Sequence, residues 1–99
     1  MSKIDNALLE LGITPDLKGF RCIRLAIEEI SKENNLSVCG LYQLIAEKTG
    51  STQSRVERDI RYAFNRLDLS SEEYNKYIGI KSKTNSARLY TLAYKLAEA

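Results

Sequence analysis

The side chains best able to do chemistry in this chain sit in one short stretch, Ser51 to Asn65, which holds Arg55, Arg58 and Arg61 together with Glu57, Tyr62 and Asn65. A guanidinium can donate two hydrogen bonds to O6 and N7 of guanine, and an Asn amide can pair with N7 and N6 of adenine. Advancing about 100° per residue along a helix, Val56, Ile60, Ala63, Phe64 and Leu67 fall within an arc of about 100° and form one apolar stripe. Ser54, Arg58, Arg61 and Asn65 lie on the opposite arc, flanked by Arg55 and Tyr62. Such a helix buries its stripe and offers the polar arc to a major groove, so Arg55, Arg58, Arg61 and Asn65 are expected to read base edges. Glu57, on the shoulder, either accepts from a cytosine amino group or pairs with Arg61 four residues on. The plainer reading is a solvated helix face carrying ion pairs, which Glu57 and Asp59 allow.

Other residues suit phosphates. Ser51, Thr52, Gln53 and Ser54 open this helix, where backbone N–H groups and short donors can meet an anion. One of Ser51 and Thr52 is expected to serve as the helix cap. Lys81 and Lys83 precede the last apolar-periodic segment and can reach a neighbouring phosphate, or stay in a mobile basic loop.

Charge and cysteine usage narrow the classes. The net charge is only +2, but residues 1–37 carry five basic and six acidic side chains, whereas residues 76–95 carry five basic and none acidic. Positive charge gathered in the second half suits a phosphate-facing surface. The chain has no histidine, which removes the commonest general base and every Ser-His or Cys-His pair. The adjacent carboxylates Glu28-Glu29 and Glu72-Glu73 would point about 100° apart on helices and not converge on one substrate. An enzyme is therefore not expected. Cys22 and Cys39 are too few and too far apart for a zinc site, so no metal or cofactor is expected and both read as reduced core thiols. No apolar run approaches the roughly 20 residues of a membrane span, and the polar start does not resemble a signal peptide, so the setting expected is cytoplasmic with no membrane partner.

The elements that must position these residues are all helical, with no sustained alternation and no hairpin turn. Ile4, Ala7, Leu8 and Leu11 mark a first helix ended by Gly12. Thr14-Pro15-Asp16 reads as the start of a second, with Leu17, Phe20, Ile23, Ile27 and Ile30 on one face and Asn34-Asn35 at its end. Ser37 caps a third that ends near Thr49-Gly50, and a fourth runs from Ser51 or Thr52 to about Leu67. Ser70 or Ser71 opens a short fifth, and Thr84 to Ser86 cap a last helix with Leu89, Leu92, Ala93 and Leu96 inward. Ala46, four residues before Gly50, lets the third and fourth helices approach, the layout of a helix-turn-helix over about 38–67. Tyr42, Tyr74, Tyr77, Tyr90 and Tyr94 read as half-buried packing residues. The fold expected is all-α, a compact bundle of about six helices forming a single domain over 1–99.

Ser54-Arg55-Val56-Glu57-Arg58-Asp59-Ile60-Arg61 resembles the recognition helix of the stage 0 sporulation protein A family, in its C-terminal effector domain. The likeness continues through Leu41-Tyr42 and Ile45-Ala46-Glu47-Lys48, reaches back to Leu11–Thr14 and Leu17–Phe20, and resumes at Thr84-Asn85-Ser86. The resemblance implies sequence-specific binding of double-stranded DNA and transcription regulation linked to sporulation, with Arg55, Glu57, Arg58 and Arg61 reading bases. It also implies tandem pairing of domains on DNA and contact with a sigma subunit of RNA polymerase. Gln53 stands where the family usually has proline, Asp59 where it has a small residue, and Tyr62 where a histidine would meet phosphate or base. The receiver domain of that family is missing from these residues, so the chain is either an excised fragment or a free-standing protein, and the native-looking start without a linker suits the second. The alternative is a protein-interaction module derived from such a domain, binding RNA polymerase or a full-length regulator.

Overall fold

The computed structural model describes residues 2–32 and 37–98, with the backbone alone for Glu98. Six helices follow in order: α1 (Lys3–Leu11), α2 (Lys18–Ser31), α3 (Val38–Thr49), α4 (Gln53–Asn65), α5 (Glu72–Tyr77) and α6 (Asn85–Glu98), with no strand among the described residues. The all-α bundle expected from apolar spacing is the fold observed.

Most helix ends are set by side chains chemically suited to them. Ser2, Ser37, Thr52 and Ser71 each accept a hydrogen bond from the backbone N–H three residues on, which satisfies one of the four donors a helix start leaves open. Gly12 and Gly50 end α1 and α3 at φ 100° and 66°, the left-handed region where a side chain would be strained. The start of α2 differs from the sequence expectation. Pro15 and Asp16 lie in a turn closed by Leu17 N–H donating to Thr14 O at 3.0 Å, and the helix begins only at Lys18. The Thr14 hydroxyl is engaged with the Asp16 carboxylate instead of a helix N–H, so Leu17 occupies the cap position without a capping side chain. That hydroxyl also holds the Asp16 carboxyl below its usual range. Asn34 and Asn35, expected to end α2, lie outside the described residues.

Helix α2 is the hub, packing on α1, α3, α4 and α6, while α5 closes the far end against α1 and α6. Ile23 and Ile27 of α2 meet Leu8, Ile13, Ile45, Ile60, Phe64, Leu89 and Leu92 in a core from which water is excluded. Each such side chain contributes about 1.5–3 kcal/mol relative to exposure. The closest approach is at Gly19: an added Cβ would stand 2.4 Å from Asp59 O and 2.7 Å from Ala63 Cβ, so the first turn of α2 lies against the backbone of α4. Helix α3 is tied to α2 by charge, since Lys48 Nζ reaches Glu29 Oε1 at 2.9 Å and Lys32 Nζ reaches it at 3.1 Å. Those two ammonium groups, Lys48 first, hold the buried Glu29 carboxyl below its usual range despite the desolvation that opposes them.

Three expectations need correction. Cys22 is buried but Cys39 is exposed, because it falls in the first turn of α3, where the helix end leaves it open beside the start of α4. Of the tyrosines expected to be half-buried only Tyr77 is so: Tyr42 and Tyr74 are buried, and Tyr90 and Tyr94 are exposed because Leu89, Leu92, Ala93 and Leu96 fill the inward face of α6. Helix α4 ends at Asn65, short of Leu67, whose N–H donates to Phe64 O in a final tight turn.

Candidate nucleic-acid interface

The α3–α4 unit is built by local chemistry. Gly50 turns the chain, Ser51 N–H returns to Ala46 O at 2.9 Å, and Ala46 is almost fully covered. Thr52 then caps α4 through its hydroxyl, which accepts from Arg55 N–H at 3.2 Å. Gln53 reaches across the unit and donates to Cys39 O at 2.8 Å, tying the start of α4 to the start of α3. These bonds commit Thr52 and Gln53 to holding the turn, whereas Ser54 is exposed and Ser51 half-buried.

On α4 the two faces separate as the periodicity predicts. Val56, Ile60, Ala63 and Phe64 are buried, and Leu67 beyond the helix is half-buried. Arg55, Arg58, Arg61, Tyr62 and Asn65 are exposed, and the Arg58 and Arg61 side chains keep 61% and 54% of their surface open. Arg58 has only a loose 3.9 Å contact with Asp59. The Tyr62 ring is 60% exposed, with the Arg66 guanidinium 5.7 Å from its centre. The exposed arginines lie on one ridge where a duplex could meet them, which is the geometry the sequence argument required.

Three of the expected readers, Glu57, Arg61 and Asn65, are held by neighbours. The Glu57 carboxylate accepts from Arg61 Nη1 at 3.0 Å, and Asn85 Nδ2 donates both to Glu57 O at 3.1 Å and to Glu57 Oε1 at 3.4 Å. Glu57 thus orients Arg61 while being oriented by α6. The buried Tyr42 phenol belongs to the same cluster; burial, then the Glu57 charge, push it up, against a hydrogen bond with Asn85. Asn65 Oδ1 accepts from Arg88 Nη1 at 3.3 Å, and Arg88 itself donates to Ser82 O and lies over the Phe64 ring. The Asn65 oxygen keeps a second lone pair and its NH2 stays open, so the amide can pair with adenine N7 and N6 while Arg88 holds it from the side.

Neither Asn85, known from the sequence only as part of the Thr84–Ser86 cap and the family resemblance, nor Arg88 was expected to touch α4. Their spacing of three puts them on one side of the first turn of α6, the only local sign that they act together. Lys81 and Lys83 are exposed on the α5–α6 connection, and the Ser82 hydroxyl between them is hydrogen-bonded to that of Thr91 at 3.0 Å. The basic loop is therefore pinned to α6 at its middle. Among the described residues no hydrogen bond or ion pair joins Lys81 or Lys83 to the α4 ridge.

Two helices joined by the tight turn at Gly50, the second exposing three arginines, offer a surface of the kind that suits nucleic acid. The chain belongs to a family described as sporulation initiation factor Spo0A C terminal, whose family model matches residues 4–96. That is a family of DNA-binding effector domains and not a family of enzymes, which supports DNA binding and transcription regulation. Searches of curated proteins and of solved structures found no significant match. Among the described residues no helix is long and apolar enough to cross a membrane.

Proposed function

We propose that this domain binds a specific duplex sequence by seating α4 in the major groove, where Arg55, Arg58 and Arg61 read base edges. Glu57 holds Arg61 in its reading pose, and Asn65 joins the readers with Arg88 steadying its oxygen. Ser51, Ser54 and Tyr62 meet phosphates from α4 and its turn, Lys81 and Lys83 do so from the α5–α6 loop, and Thr52 and Gln53 fix the turn that aims them. The observation that carries this reading is the shared solvent-facing ridge of Arg55, Arg58 and Arg61, anchored by a fully buried stripe beneath it. Family membership supports a cytoplasmic, sporulation-linked regulatory role, with tandem pairing on DNA and contact with a sigma subunit of RNA polymerase. The exposed rings of Tyr90 and Tyr94 border an apolar depression with Ile30 and Ala97, well suited to a protein partner and sharing no residue with the reading ridge.

Selection from a random duplex library tests the reading. An enriched motif is expected, and Arg58→Ala should cost about 1–3 kcal/mol on it and relax preference at one position. A library that enriches nothing, or a motif bound equally by the alanine variant, refutes it.

A further inference from the structure

We infer that Lys18 and Arg21, at the start of α2, form a second phosphate-binding wall for the duplex that receives α4. The inference rests on the DNA-binding reading above and adds to it a surface outside the helix-turn-helix.

An open groove of about 710 Å³ runs between the first turn of α2 and the start of α4. Lys18 and Arg21 line one side, Arg55 and Arg58 the other, and Gly50 and Ser51 lie at one end. Asp16 and Asp59 also line it, so four cations face two carboxylates. An α-helix with its side chains is about 10–12 Å across and the major groove about 12 Å wide, so a seated helix brings the protein on both its flanks up to the phosphate rails. On the flank facing α6 lie Asn85, Arg88 and the Lys81–Lys83 loop. On the opposite flank, what stands beside α4 is the start of α2.

Three features fit that flank to a phosphate rail. Gly19 brings α2 into backbone contact with α4 at Asp59 and Ala63, so Lys18 is held at a fixed offset from the ridge. Lys18 and Arg21 are exposed, and neither forms an ion pair among the described residues; Arg21 makes one long bond, 3.4 Å, to Lys48 O at the end of α3. Leu17 gives the first turn of α2 no side-chain acceptor, so the positive end of the helix adds to the two cations without a competing cap.

The test measures affinity for a selected duplex between about 50 and 200 mM salt, comparing the parent with Lys18→Ala/Arg21→Ala. Loss of two phosphate contacts lowers the steepness of log K against log salt by about 1.8, so the affinity lost over that range becomes about tenfold smaller. The ranking of duplexes with single base changes should stay as in the parent. Lys18→Glu guards against a folding artefact, because an acid suits a first helical turn; it should keep the parent's circular dichroism and melting temperature yet bind more weakly than Lys18→Ala. A parent that binds steeply while the double variant keeps the same slope overturns the wall and leaves the DNA reading intact. A changed base preference with an unchanged slope also overturns it. A parent that selects no duplex removes the DNA reading and the wall together.

Discussion

Replacing Gly19 with alanine sets two effects of opposite sign against each other. Alanine is the better helix former by about 0.5–1 kcal/mol, and less than that so near a helix end. Against this, the new methyl would stand 2.4 Å from Asp59 O and 2.7 Å from Ala63 Cβ. Neither obstacle can rotate away, since one is helix backbone and the other a methyl fixed to it. Overpacking of this kind costs about 1–3 kcal/mol, so steric cost wins and the net change is a destabilisation of roughly 1–2 kcal/mol. For a domain of this size about 1 kcal/mol moves the melting temperature by about 4–8 °C, which differential scanning calorimetry resolves easily. Adding Ala63→Gly removes one obstacle and leaves the carbonyl, so it should give back only part of the steric loss. A Gly19→Ala protein that melts at or above the parent temperature would mean that α2 and α4 are not in backbone contact, and the fixed offset argued for Lys18 would go with it.

Two further outcomes follow from named contacts. Asn85→Ala removes the donor that steadies Glu57; affinity for the selected duplex should fall by about 0.5–1.5 kcal/mol and preference should loosen at the base pair read by Arg61, with the salt slope unchanged, as competition binding would report. Unaltered preference would mean that Arg61 needs no such support. Lys48 and Lys32 keep the folded Glu29 carboxyl below its ordinary value of 4.5, so its contribution is fully present above that pH and is lost as the pH falls through the lower folded value. Urea titrations across this acid range should show a shallower decline for Glu29→Gln than for the parent, and parallel curves would assign the acid sensitivity to other carboxylates.

The fold was readable because its signals are short-range. Ser37, Ser71, Gly12 and Gly50 mark helix ends by their own chemistry, and the spacing of Val56, Ile60 and Phe64 separates the buried from the exposed side of α4 without reference to any other element. The start of α2 was misjudged because Thr14 spends its hydroxyl on Asp16, a choice between two nearby acceptor–donor pairings that residue type alone leaves open. The grip of Asn85 and Arg88 on α4 escaped notice because their partners, Glu57 and Asn65, are 28 and 23 residues away in the chain. The exposure of Tyr90 and Tyr94 was legible in the spacing: each follows an inward residue, Leu89 or Ala93, by one position and so points about 100° away from it. The resemblance carried Glu57 as a base reader, whereas the geometry gives its carboxylate two protein partners before any duplex arrives.

Helix α6 is a rod of about 21 Å, at about 1.5 Å for each of its fourteen residues. Its first turn grips two side chains of the reading helix, and farther along it the rings of Tyr90 and Tyr94 stand in water. A body that leaned on those rings hard enough to tilt the rod would drag Asn85 and Arg88 with it, altering which bases the arginines favour. Thermodynamic reciprocity then requires the converse, that the choice of operator alters how tightly such a body is held.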